Sequence, residues 1–164
     1  MTDGKIDLSR FKSVFETGYC DCPDREGQFV YYKGSLAEIK GGFKHSCWMW
    51  WIFPLLKGLW VNSKRNKYYG LKGLAEAEAF LADPYLGKCL REITEALLEL
   101  EGPPQRTAYF IFGDDDEPKL HSCMTLFEYI DGEPDNIFAQ VLDKYFKGER
   151  HRDTLEAIER LQQG

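Results

Sequence analysis

The chain has 164 residues, 43% of them hydrophobic and 29% charged, the profile of one compact soluble domain and not of a disordered or fibrous chain. At this length a fold buries roughly two-thirds of its extended-chain surface, so neither disulfides nor a structural metal is needed to hold it together. The net charge of −6 argues against a coat for duplex nucleic acid and against an anionic-membrane binder, since both require basic surface.

Met1 to Lys12 lacks the basic start and apolar core of a signal peptide, so a cytoplasmic location is expected. Leu8, Phe11 and Phe15 are spaced three and four apart, which predicts a short helix ending near Gly18. The polar stretch Cys20 to Gly27, with Pro23 inside it, predicts an exposed loop. Residues 1–27 are therefore expected to be a helix and polar loop packed on a helical domain of residues 28–164, a single domain overall. Phe29, Tyr32, Leu36 and Ile39 predict the next helix, stopped by Gly41 and Gly42.

The longest apolar run, Cys47 to Leu56, contains Pro54 and is about half the length of a membrane span, so it is expected to be core. One helical turn is predicted at Lys64 to Tyr69 within a polar connection. Leu74, Ala77, Phe80 and Leu81 predict a helix that stops at Asp83, and Asp83-Pro84 reads as the cap of the next one. Leu86, Leu90, Ile93, Leu97 and Leu100 form the strongest helical stripe in the chain. Tyr109 to Phe112 is too short for periodicity to decide between strand and helical turn.

Four adjacent carboxylates, Asp114 to Glu117, repel one another and predict a loop. Such a loop could hold a divalent cation, offer a general base, or be merely solvated. Helical faces follow at Leu120, Cys123, Met124 and Phe127, and at Phe138, Val141, Leu142 and Tyr145, the second closed by Gly148. Asp153 with Glu156 reads as a capping box for a last helix burying Leu155, Ile158 and Leu161. The expected fold is mainly α, a compact multihelical domain with at most one or two short strands.

The five cysteines, Cys20, Cys22, Cys47, Cys89 and Cys123, are odd in number and scattered, which predicts reduced thiols and no metal site. The chain has no GxSxG, P-loop, GxGxxG or HExxH motif, so the commonest hydrolase, NTPase, Rossmann and zincin readings are removed. His121, Ser122 and Cys123 are sequence neighbours on a predicted helix and point in different directions, so they do not make a dyad. No cofactor is implied.

The charge is uneven. Between Glu38 and Glu76 there is no acid, while Lys40, Lys44, Lys57, Lys64, Arg65, Lys67 and Lys72 give +7, leaving −13 for the rest of the chain. All four tryptophans, Trp48, Trp50, Trp51 and Trp60, lie in this window, with Tyr68 and Tyr69. Basic groups hold phosphate and aromatic faces stack on bases, a combination suited to a nucleotide-like anion. The competing reading makes the tryptophans core and the lysines a solvated face.

The run Lys44 to Pro54 centred on Trp48-Met49-Trp50-Trp51, then Tyr69-Gly70, Pro84-Tyr85-Leu86-Gly87, Ile111-Phe112-Gly113, Asp116, Lys119 and Met124-Thr125-Leu126-Phe127, resembles the family called domain of unknown function 1810. The resemblance covers about residues 28 to 160 and implies a largely helical single domain without a settled activity. Members sometimes carry the label calpastatin, yet nothing in this sequence resembles a repeated, disordered protease inhibitor. The charged, Trp-rich blocks are also loosely similar in flavour to the NADAR family, tied to NAD and ADP-ribose metabolism. Two positions depart from the pattern: Cys47 stands where the family has His before its Trp-Met-Trp, and Leu55 where it has Gln after Phe-Pro.

Two functions are expected from these features. The first is a domain that binds, and at furthest hydrolyses, a phosphorylated nucleotide-like molecule of the ADP-ribose type. Lys44, Arg65 and Lys67 would hold phosphate, Trp48 or Trp50 and Tyr69 would stack, and Asp116, Lys119 and Ser122 would line the opposite wall. Asp116 and Cys47 are the catalytic candidates. The second is a non-enzymatic interaction module that docks a basic, Trp-rich surface on an acidic protein partner.

Overall fold

The computed structural model describes residues 6–18 and 31–163. The expected loop at residues 20–27 and the helical position of Phe29 lie outside the described residues. Among those described there are nine helices and one isolated parallel bridge, Leu56 with Leu71, so the domain is mainly α as expected.

Helix α1 (Ser9–Thr17) buries Phe11, Val14 and Phe15 and ends at Gly18, whose left-handed backbone lets its amide reach the Val14 carbonyl. α2 (Tyr32–Lys40) stops at Gly41, and the Tyr32 hydroxyl donates to the Cys89 carbonyl at 2.9 Å. The apolar run gives only one turn, α3 (Met49–Ile52), within an otherwise irregular buried segment. α4 (Lys64–Tyr69) falls where one turn was expected, capped by the Ser63 side chain.

α5 (Leu74–Ala82) and α6 (Leu86–Glu99) meet at a sharp corner where the Asp83 carboxylate accepts the amides of Tyr85 and Leu86. Leu86, Leu90, Ile93 and Leu97 are all fully buried, as the stripe requires. α7 (Ala108–Asp131) breaks at Gly113, and α8 (Ile137–Phe146) and α9 (Arg152–Gln163) follow. α6 packs between α2, α5 and α8, and α7 packs on α5, α8 and α9. The open end of α6 is closed by Lys144, whose ammonium donates to the carbonyls of Leu97, Leu98 and Leu100. Burial lowers the Lys144 pKa, against the attraction of Glu101. A cation at a helix C-terminus is favoured by the dipole.

Three expectations need correction or completion. Tyr109 to Phe112 is helical, the first turn of α7. The acidic run is not a loop: it opens the second segment of α7, directly after Gly113 at φ 82°. Carboxylates are stabilised at a helix N-terminus, which outweighs their mutual repulsion. The last helix starts at Arg152, with the His151 carbonyl accepting the Leu155 amide, so Asp153 sits inside the first turn and does not cap it. Leu155 and Leu161 are exposed, and the buried face is Thr154, Ala157 and Ile158. No helix among the described residues is long and apolar enough to cross a membrane.

Candidate functional site

The segment between α2 and α3 is held by one carboxylate. Glu38, on the last turn of α2, accepts the amides of His45 and Ser46 at 2.8 and 3.1 Å, the Ser46 hydroxyl at 2.7 Å and the Trp48 indole N–H at 2.8 Å. Burial opposes its ionisation, but these four hydrogen bonds prevail and hold its pKa below the ordinary value. The Lys44 amide donates to the Ile111 carbonyl at 2.9 Å, tying the same segment to α7.

So fixed, Lys44 meets α7. Its ammonium lies 2.7 Å from one oxygen of Asp116, and the Lys119 ammonium lies 3.1 Å from the other. The two lysine side chains are only 8% and 9% exposed, Asp116 18%. Each ammonium also donates to a carbonyl, Lys44 to Ser46 and Lys119 to Asp115 at 2.9 Å. Two cations thus share one carboxylate in a largely water-excluded place, leaving a local surplus of one positive charge within this trio. Of the neighbouring acids, the Asp114 and Asp115 side chains are exposed and Glu117 is half-buried.

An aromatic series runs away from the lysines. Lys119 sits over the Trp50 ring at 4.6 Å, Trp50 meets Trp60 edge to face at 6.4 Å, and Trp60 stacks on His151 at 6.2 Å and 13°. His151 meets His121 at 5.4 Å, and His121 stacks on Phe146 at 4.1 Å. Beneath the rings, Thr154 joins His151 Nδ1 at 2.8 Å to the Ser122 hydroxyl at 2.5 Å. His121 Nε2 faces the Glu149 carbonyl at 2.8 Å; a carbonyl can only accept, so that nitrogen carries the proton. Burial, and then the neighbouring His121, push the His151 pKa down. Asp116, Lys119 and Ser122 are three apart in sequence and so share one face of α7, on which Trp50 covers Lys119.

The structure brings together Lys44, Asp116, Lys119, Trp48 and Trp50 from the expected set. Trp48 and Tyr69, however, are wholly buried: Trp48 is bonded to Glu38, and Tyr69 packs against Trp51 at 5.1 Å. Their faces are closed to a ligand because both complete the core. Ser122 is buried on Thr154. Arg65 and Lys67 stand on α4, a separate short helix packed on α3, Arg65 half-buried and Lys67 exposed. Cys47 is exposed, and among the described residues no hydrogen bond joins it to an imidazole. Leu55, the other departure from the family pattern, is a core side chain. Among the described residues no group of three or more metal-ligating side chains converges.

Glu38, Trp60, His151 and Thr154 were not among the expected site residues. Glu38 stood in view as the acid that bounds the basic window, but sequence spacing does not show that it folds back on residues 45–48.

A family model described as "Protein of unknown function (DUF1810)" matches residues 24–158. Among solved structures, a conserved hypothetical protein from Mycobacterium tuberculosis, Rv1873, is similar with 36% identity and a TM-score of 0.72, over 78% of this chain and 88% of that one. No curated protein matches. The NADAR likeness is carried by neither match.

Proposed function

Since the chain belongs to the DUF1810 family, whose description names no activity, we propose from its own geometry that it binds a small phosphorylated, nucleotide-like molecule of the ADP-ribose type. The observation that carries this reading is the pair of nearly buried ammoniums, Lys44 and Lys119, bridged by the single carboxylate of Asp116. Within this trio a phosphate meets one unbalanced positive charge where water screens little, while the carboxylates of Asp114 and Asp115 are exposed to solvent. Lys119 over the half-buried Trp50 puts an indole beside the same charge. Hydrolysis is not part of the reading, because the half-buried His121 and His151 are engaged with a backbone carbonyl and a buried threonine.

Titration calorimetry with ADP-ribose, NAD and inorganic pyrophosphate tests it. ADP-ribose is expected to bind, and Lys119→Met to weaken it about tenfold or more, the worth of a charge-assisted hydrogen bond. No heat with any of the three would sink the proposal. A second reading, an acidic protein partner, is supported by the tip between α3 and α4. That stretch of chain carries Val61, exposed to 64%, next to half-buried Trp60, and the exposed Lys57, with the exposed Lys64 and Lys67 following on α4.

A further inference from the structure

Beside Lys44 the surface opens into a cleft of about 560 Å³, a size that suits a small organic ligand. Its walls include Phe43, Tyr109 and Phe110, exposed to 41%, 59% and 50%. Lys44, Gly113 and Asp114 line it as well. The rings are held before any ligand arrives. Phe43 meets Phe110 edge to face at 5.7 Å, and the Arg106 guanidinium lies over Phe110 at 5.2 Å. Arg106 is itself anchored to the Gly42 carbonyl at 2.9 Å and to Glu101 at 3.0 Å. α7 breaks at Gly113, which lines the cleft, and a side-chain carbon there would meet nothing within 4 Å.

We propose that this cleft seats the base of the nucleotide-like ligand, with its phosphate directed to Lys44, the member of the lysine pair that lines it; the inference rests on the phosphate-binding reading above. A flat, uncharged heterocycle can cover Tyr109 and the open part of Phe110, where a bare sugar phosphate has nothing to stack. Asp114, an exposed carboxylate on the wall, can only accept hydrogen bonds when ionised. It therefore favours a base with an exocyclic amine, such as adenine, over one with a carbonyl at that place. The same negative charge repels phosphate while Lys44 attracts it, so the phosphate is directed to Lys44 and away from Asp114.

The experiment is calorimetry on the full chain at one salt concentration with AMP, IMP and ribose 5-phosphate, repeated on Tyr109→Ala and Phe110→Ala. Both variants alter exposed side chains, and circular dichroism checks their fold. AMP is expected to bind about tenfold or more tighter than ribose 5-phosphate, IMP to fall below AMP, and Tyr109→Ala to erase most of the advantage of the base. Equal binding of AMP and ribose 5-phosphate would overturn the base site while leaving the phosphate reading intact. Binding by neither would overturn both. Concentration-dependent dimerisation that Tyr109→Ala abolishes would also overturn the base site, by assigning the cleft to a second copy of the chain.

Discussion

At the scale of the residue, Glu38 decides how the lysine pair is presented. Its carboxylate takes three N–H donors on one oxygen and a hydroxyl on the other, so Glu38→Gln keeps the size, weakens the first three and cannot accept the fourth at its amide nitrogen, at a cost of about 1–2 kcal/mol. The pH dependence follows from the sign of its shift. The folded pKa lies below the ordinary 4.5, so the stabilisation is complete above that value and is lost as pH falls through the folded one. Urea denaturation of both proteins at pH 7 and pH 3.5 should show the gap between them closing at the lower pH; a constant gap would exclude this role. His151 has the same sign for a different reason. Burial first, and then His121, disfavour its cation, so its contribution is complete above 6.5 and fades at lower pH. The sequence names Asp116 and Lys119 as wall residues but hides their contact, because three apart they touch only on a helix and the acidic run points to a loop. Lys44, seventy-two positions away from Asp116, could only be nominated by its charge.

At the scale of the element, helices with a stripe or a cap were legible and the others were not. α6 announced itself by five leucine and isoleucine positions and by Asp83, and the corner it makes with α5 explains why residue 87 is glycine. A side-chain carbon at Gly87 would lie 2.0 Å from the Leu81 carbonyl oxygen, a collision with backbone. Gly113 differs: its φ of 82° strains any other residue, but the space beside it is open. Gly87→Ala should therefore cost about 3 kcal/mol or more, and Gly113→Ala less, about 1–3 kcal/mol of backbone strain with no collision. Equilibrium denaturation of both variants checks the order, and a larger loss at Gly113 would contradict it. The acidic run misled because repulsion between neighbouring carboxylates is visible in sequence, whereas the glycine-initiated helix end that offsets it is visible only once φ is known. Asp153 misled in a related way, since its capping pattern stands two residues past the residue whose carbonyl opens the helix, His151.

At the scale of the whole molecule, the basic, acid-free window divides in two. Trp48 and Trp51 went to the core, as an apolar run usually does, while Trp50 and Trp60 stayed half-open beside Lys119 and His151. The helical class and most of the core were thus readable from periodicity, and the site only in its charge. Periodicity cannot tell which of two adjacent indoles turns inward when the helix carrying them is a single turn. This split has an optical consequence. Indole emission should be quenched more by iodide than by caesium, about twofold or more, because Lys119 gathers anions at Trp50. Trp50→Phe should remove most of the difference, and equal quenching by the two ions would contradict a positive field there.

The two acids that bound the window, Glu38 and Glu76, are also its fasteners. Glu38 grips residues 45–48. Glu76 takes the Lys72 amide at 2.8 Å and the guanidinium of Arg10, which in turn holds the carbonyls of Tyr68, Tyr69 and Gly70. Between them, backbone bonds from Lys57 to Leu71 and from Leu71 to Leu55 pinch the neck of the loop. A chain fastened outside its tip can be lengthened at the tip without disturbing what lies below. Extra residues between Val61 and Asn62, both exposed, would then meet only the slow growth of loop-closure entropy, about 0.6 kcal/mol per doubling of length. It is at this tip, and not around the lysine pair, that the fold leaves room for length to vary.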